Sequence, residues 1–284
     1  MGIWPSNLIE ELAYRRGIIF FGSGISATAK RVDGTRPATW KEFMESIRSI
    51  AKNLTDADNA YLDEKMKCQD YLATLQAIYE KCDPGEYSKF LRDTYGRGGL
   101  TPSIAHEKIK EIDCKIVITT NFDKIYDTFC SGEGYTTLTY DEPKAIVNNI
   151  KSPNNLIIKA HGTIDKIDHI IFTEQQYYSK QEEYPEFYAI LSALFLTNTV
   201  VFLGYSLNDP DINLVLQFLH KTASPLAPHY LVMKSGVPEQ QKRFWKNTYN
   251  VQIIEYGDEY DQLLGALEEL SDSVQELREA RSIS

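Results

Sequence analysis

The first apolar run of this chain ends on a glycine pair: Ile18-Ile-Phe-Phe21 is followed at once by Gly22-Ser-Gly-Ile-Ser26. An apolar strand that stops at glycines is how a nucleotide-binding α/β fold opens its phosphate site. Glycine lets backbone N–H groups approach a pyrophosphate closely, and a helix starting there adds a favourable dipole. Gly22-Ser-Gly-Ile-Ser-Ala27 also satisfies the permissive G-x-G-x-x-G/A dinucleotide pattern. A dehydrogenase of that type needs an acidic residue at the end of its second strand. Glu42 and Glu45 lie near the required separation, but Trp40, Phe43, Met44, Ile47 and Ile50 recur around them at helical spacing. The dehydrogenase reading therefore lacks its second leg.

Beyond the glycines the chain alternates. Ser6 can cap a helix through about Arg16 that Gly17 ends, and Ile18–Phe21 reads as the first strand. Nothing from Thr39 to about Ile112 resembles a strand, so this stretch reads as a helical module inserted between the first two strands. Pro84 and Pro102 suit the first turns of two of its helices. Further strands are expected at 115–119, 135–139, 156–159, 200–203, 230–233 and 251–254. Helices are expected at 122–130, 183–196, 209–221, 239–249 and 258–269. Short β-branched runs separated by helices imply an α/β fold, with a Rossmann-like parallel sheet covered by helices on both faces. The expectation is one domain over 1–284, with the helical insertion at about 39–112. The polar tail at about 271–284 reads as a solvated helix or a partner contact.

Composition narrows the function. A net charge of −10 argues against gripping nucleic acid, which calls for a basic face. Cys68, Cys82, Cys114 and Cys130 form no C-x-x-C pair, so no metal site is expected and free thiols in a reducing compartment are. No apolar run is long enough to span a bilayer, and the N-terminus lacks a signal-peptide core. A cytoplasmic protein that binds no membrane is expected.

Four polar segments fall at strand ends, where ligands of an open parallel sheet bind. They are Gly22-Ser-Gly-Ile-Ser26, Thr119-Thr-Asn-Phe-Asp123, His161-Gly-Thr163 and Gly204-Tyr-Ser-Leu-Asn-Asp-Pro-Asp211. Turn chemistry accounts for any one of them, and Asn121 alone could be a helix cap. Four at one edge of one sheet point to a site. His106, His169, His220 and His229 have no comparable company and read as surface or packing residues.

Together with Lys159-Ala-His-Gly162 and Leu203-Gly-Tyr-Ser-Leu207, these segments resemble, in order, the motifs of the sirtuin fold. That resemblance implies NAD as substrate. Gly22, Ser23, Gly24 and Ser26 would contact its pyrophosphate and ribose. Thr120 belongs to the same cofactor-binding set, and Asn121 and Asp123 would line the nicotinamide-ribose pocket. His161 would be the catalytic histidine, and Gly204 and Ser206 would lie along the adenosine half. Sirtuin deacylases carry a zinc module with two C-x-x-C pairs and a Pro-Asp-Phe-Arg segment, both missing from this sequence. NAD machinery without the zinc module resembles the sirtuin-like domains of prokaryotic antiviral systems, which degrade NAD to halt growth of an infected cell.

The resemblance implies an NAD glycohydrolase, with Asn121 and His161 as its catalytic pair, acting in abortive infection. Two other readings stay open: a regulatory subunit that only binds NAD or ADP-ribose and, more remotely, an NAD-dependent deacylase. An unrestrained hydrolase would kill its host, so activation by a protein partner of the same defence system or by homo-oligomeric assembly is expected.

Overall fold

A computed structural model describes residues 2–38, 40–68, 70–96, 98–205 and 227–283. Seven strands form one sheet: β1 (Gly17–Phe21), β2 (Ile116–Thr119), β3 (Tyr135–Thr139), β4 (Asn155–Lys159), β5 (Thr199–Leu203), β6 (His229–Met233) and β7 (Val251–Glu255). Their order is β3-β4-β2-β1-β5-β6-β7, and every pair is parallel. Strand order reverses direction beside β1, where β2 lies on one side and β5 on the other. An open α/β sheet leaves its ligand crevice at such a switch point.

Alternation along the strands builds two cores. Ile18 and Phe20 of β1, Ile118 of β2, Ile158 of β4 and Phe202 of β5 face one layer. Ile19, Phe21, Val117, Ile157 and Val201 face the other. Because both faces are covered, the central strands are apolar throughout, as parallel strands require. The first layer is made by α9 (Pro143–Ile150), α10 (Glu174–Glu183), α11 (Pro185–Thr197) and α12 (Glu239–Tyr249). The second is made by α1 (Ser6–Ala13), α7 (Ile104–Glu111), α8 (Ile125–Cys130) and α13 (Gln262–Arg281).

Helices α3 (Trp40–Arg48), α4 (Asp56–Lys67), α5 (Tyr71–Tyr79), α6 (Pro84–Tyr95) and α7 lie between β1 and β2. Phe43, Met44, Ile47, Leu62, Leu75, Ile78 and Leu91 close a third core on Phe122, Ile164, Ile170 and Phe172. Pro84 occupies the first turn of α6 with Asp83 as its cap. Pro102 instead precedes the Ser103 cap of α7, outside the helix.

Several expected boundaries move for physical reasons. Helix α1 ends at Ala13, and the reversal falls on Arg15 in the left-handed region (φ 58°). Gly17 is the first residue of β1, where a Cβ would lie 2.5 Å from the Leu12 side chain. The expected helix at 183–196 is α11, which starts two residues later because Pro185 takes its first turn, and α10 just before it was not expected. Helix α9 escaped the sequence reading. The expected helix at 209–221 lies outside the described residues, as do His220 and Ser206.

Residues 271–281 continue α13 as part of the body of the domain. Leu263, Leu267, Leu270, Val274 and Arg278 recur at helical spacing and are buried against α1 and α7. The Arg278 guanidinium donates to the carbonyls of Leu12, Ala13 and Ile112, at 3.0–3.1 Å. Arg278→Ala removes the side-chain donor from three carbonyls, of which that of Leu12 keeps the Arg15 N–H. It is expected to lower unfolding stability in urea by roughly 3 kcal/mol. A loss under about 0.5 kcal/mol, the range of ordinary surface changes, would contradict this role for the tail.

Candidate functional site

Lys159, Thr119, Phe21 and Leu203 stand side by side as the last registered positions of β4, β2, β1 and β5. Each of the four polar segments starts at or just past this row, so four adjacent strand ends form one edge.

The glycines join β1 to β5. Gly22 N–H donates to the Leu203 carbonyl (2.9 Å) and Gly24 N–H to that of Gly204 (3.0 Å). A Cβ on Gly24 would lie 2.7 Å from the Gly204 Cα, and Gly204 itself has φ 69°. A Cβ on Gly22 would lie 2.5 Å from the Tyr205 ring. The expected helix after the glycines is a single turn, α2 (Ser23–Ser26), too short for a substantial macrodipole. Both glycine amides are thus engaged within the protein. The Ser23 hydroxyl, half-buried, has no partner among the described residues.

Asn121 is the hub. Its Nδ2 donates to the Gly22 carbonyl (3.0 Å) and to Ser26 Oγ (2.8 Å), and its backbone N–H donates to Thr119 Oγ1 (3.0 Å). Ser26 Oγ in turn donates a hydrogen bond to Asp123 Oδ2 at 2.6 Å. Asp123 Oδ1 accepts the N–H of Ile125 (3.0 Å), the first residue of α8. Helix α8 begins four residues after Asn121, so the capping bond comes from Asp123 and the Asn121 side chain serves the strand-end loop. With both amide hydrogens used, Asn121 Oδ1 is left as an acceptor with no partner among the described residues.

Phe122, between these two polar residues, points the other way. Its ring packs edge-on against Tyr95 (4.6 Å between centroids) and Phe172 (5.4 Å), within the insertion core. Alternation along the segment therefore anchors it on one side and presents Asn121 and Asp123 on the other. From below, buried Lys159 donates to the Asp123 carbonyl and lies 3.5 Å from Asp127 Oδ2. Burial raises the Asp127 carboxyl pKa, and the Lys159 charge opposes that rise. Thr120 Oγ1 shares a hydrogen bond with the Tyr205 hydroxyl at 3.0 Å.

His161 follows β4. Gly162 has φ 84°, and a Cβ there would lie 2.6 Å from the His169 carbonyl, so the tight reversal after His161 needs glycine. The imidazole meets the Tyr177 hydroxyl of α10, 2.8 Å from Nε2 and 3.2 Å from Nδ1. Burial pushes the His161 pKa down to about 3, leaving the ring neutral near pH 7.

A cavity of about 910 Å³ opens beside Asp123, between the end of α6 and the start of α8. Tyr95, Ile125, Phe129 and Ile164 give it apolar walls, while Arg92 and Lys124 add cationic groups. Its volume is within the range of small-molecule sites. The described residues contain no cluster of three metal-ligating side chains and no helix long and apolar enough to cross a membrane.

Of the sequence-derived residues, the structure joins Gly22, Ser26, Asn121 and Asp123 in one hydrogen-bonded unit, with Gly24 and Gly204 packed beside it. Thr120 turns to Tyr205, and His161 is held from α10. Lys159, Tyr177 and Tyr205 were missed. A lysine ending an apolar strand was a readable signal for the first. Tyr177 lies in a polar helix with no motif around it, so nothing local marked it.

Residues 115–254 match the SIR2-like domain family. Among curated proteins the chain is 27% identical over 219 residues to defense-associated sirtuin 2 of Bacillus subtilis, covering 75% of this chain and 20% of that protein. It is 25% identical over 226 residues to NAD(+) hydrolase ThsA of Acinetobacter baumannii (75% of this chain, 41% of that one). With ThsA of Enterococcus faecium it shares 24% identity over 261 residues, 86% of this chain and 49% of the relative. The chain therefore spans less than half the length of each of these relatives.

Two outcomes follow from the geometry. Gly24→Ala forces the β1 and β5 loops apart and is expected to cost roughly 1–3 kcal/mol in urea unfolding. Gly265→Ala, in open space on α13, should instead be neutral or stabilising; equal behaviour of the two variants would contradict the close approach. The second concerns acid. His161, with its pKa near 3, and His106 and His229, near 4, are all depressed by burial, whereas an unfolded histidine titrates near 6.5. Below about pH 6.5 the unfolded chain takes up protons that the folded one does not, so stability should fall as pH drops from 6.5 towards 4. Histidine NMR titrations showing ordinary pKa values in the folded protein would contradict this.

Proposed function

On a chain that carries a SIR2-like domain, we propose that this site binds NAD and cleaves its nicotinamide–ribose bond, giving nicotinamide and ADP-ribose. The observation that carries the reading is Asn121. Its amide hydrogens are fixed inward by Gly22 and Ser26, so its carbonyl oxygen is offered at the strand edge without reorganisation. Nicotinamide leaves as a neutral molecule while positive charge develops on the ribose, so no general acid is needed. An uncharged acceptor such as Asn121 Oδ1 stabilises that charge and can hold the attacking water or a ribose hydroxyl. His161 sets the ribose from the neighbouring strand end. Ser23 is the hydroxyl available to the pyrophosphate, and Gly204 continues the cofactor path towards adenosine; for Ser206 the same role rests on the sequence resemblance alone. Asp123 and Ser26 act chiefly by holding Asn121. The relatives named as NAD(+) hydrolases support the same chemistry.

The relative named as a defence-associated sirtuin supports a role in antiphage defence through NAD depletion. Such an activity is lethal to its host unless held back, so a low basal rate in the cytoplasm is part of the proposal. Release would follow from assembly with further copies or with a protein partner of the same defence system.

Nicotinamide release from NAD tests the reading. Asn121→Ala and His161→Ala should each lower it by roughly 100-fold or more, with the folded state retained. Binding of NAD with no nicotinamide released by the wild type, in any assembly state or with a candidate partner, would sink the hydrolase and favour a binding subunit.

A further inference from the structure

We propose that Lys159, neutralised by Asp127, is the positioning residue of the Asn121 segment, fixing it against β4 without leaving a net charge beneath the reacting ribose. The inference rests on the reading of Asn121 as the acceptor of the NAD-cleaving site.

The segment beyond β2 is fastened to β4 and to the loop after it at three carbonyls. Ala160 N–H donates to the Thr119 carbonyl and Ile164 N–H to that of Phe122, both at 2.8 Å. The third carbonyl, that of Asp123, accepts from Lys159 Nζ. The first two are backbone bonds, independent of which side chains are present. The third is made by a side chain, at the residue that accepts from Ser26, which itself accepts from Asn121. Because Ala160 and Ile164 flank His161, the same fastening sets the Asn121 and His161 segments relative to each other.

Lys159 follows Ile157 on the strand face that α8 covers, and its side chain is 2% exposed. An ammonium so placed is costly unless it is paired. Asp127, in the first turn of α8, lies 3.5 Å away with its side chain 13% exposed. Both residues line a void of about 10 Å³ together with Asn121 and Asp123. That is room for about one water, so solvent does little to screen the ammonium there. Positive charge develops on the ribose as nicotinamide leaves, and an uncancelled cation behind Asn121 would oppose it. Asp127 cancels that field and leaves the Nζ bond to the Asp123 carbonyl in place.

The double variant Lys159→Met/Asp127→Asn tests this, because exchanging both members of a buried pair for uncharged groups leaves no unpaired charge to unfold the protein. Hydrogen exchange by NMR without NAD gives the first readout. The Asn121 side-chain amide, identified by its loss in Asn121→Ala, should exchange roughly tenfold faster or more in the double variant, with the backbone amides of β5 unchanged. In the second readout, kcat for nicotinamide release should fall roughly ten- to a hundredfold with little change in KM. Asp127→Asn should lower kcat on the wild-type background and leave it unchanged on the Lys159→Met background, since it then has no charge to cancel. Unchanged Asn121 exchange overturns the proposal, as does faster exchange with unchanged kcat, or a loss confined to KM. Equal effects of Asp127→Asn on the two backgrounds would overturn the role of the pair. The exchange measurement depends on no turnover. The expected exchange in a protein that never cleaves NAD would overturn the functional reading and leave the positioning of Asn121 standing.

Discussion

The bond from Asn121 Nδ2 to Ser26 Oγ, continued from Ser26 to Asp123, is the interaction on which the site depends. It ties the loop after β1 to the loop after β2, two strands that already share a full register. Every larger feature of the fold serves this junction. The parallel sheet puts the two loops at one edge, and the insertion core pins Phe122 so that its neighbours face the other way. Lys159 supports the segment from β4. Buried hydrogen-bonded chains of this kind strengthen when complete and are costly when one member is lost. The arrangement thus converts three common polar residues into a fixed acceptor.

The glycines take a different part from the one their sequence suggests. Strand-end glycines usually signal a phosphate cradle, and a ligand does lie on this edge in the proposed reading. Their immediate work is to let β1 and β5 meet at backbone distance, with Gly24 against Gly204 and the Tyr205 ring over Gly22.

Much of the fold was legible because period and punctuation agreed. Apolar runs ending in Gly, Asn or His mark the central strands, and the all-parallel sheet follows from their alternation with helices. Position 17 misled because glycine both stops helices and permits close packing, and only tertiary structure shows that Leu12 needs the space. Pro185 was the local sign of where α11 begins, whereas α10, polar along most of its length, had no apolar stripe to mark it. The site was legible to the level of segments. Its wiring was not, because Ser26 and Asp123 read equally well as ligand contacts or as mutual partners. Tyr177 reaches His161 through the packing of α10, a relation no spacing encodes.

The central claim is that Asn121 is oriented in advance, so that its Oδ1 faces the anomeric carbon of the nicotinamide ribose. A crystal structure of the His161→Ala variant with intact NAD bound tests this most directly. The ribose should lie against Asn121 Oδ1, with the Gly22–Asn121–Ser26–Asp123 hydrogen bonds unchanged from those described above. NAD bound with its nicotinamide ribose away from Asn121, or an Asn121 amide turned out of that network to reach the ligand, would contradict it.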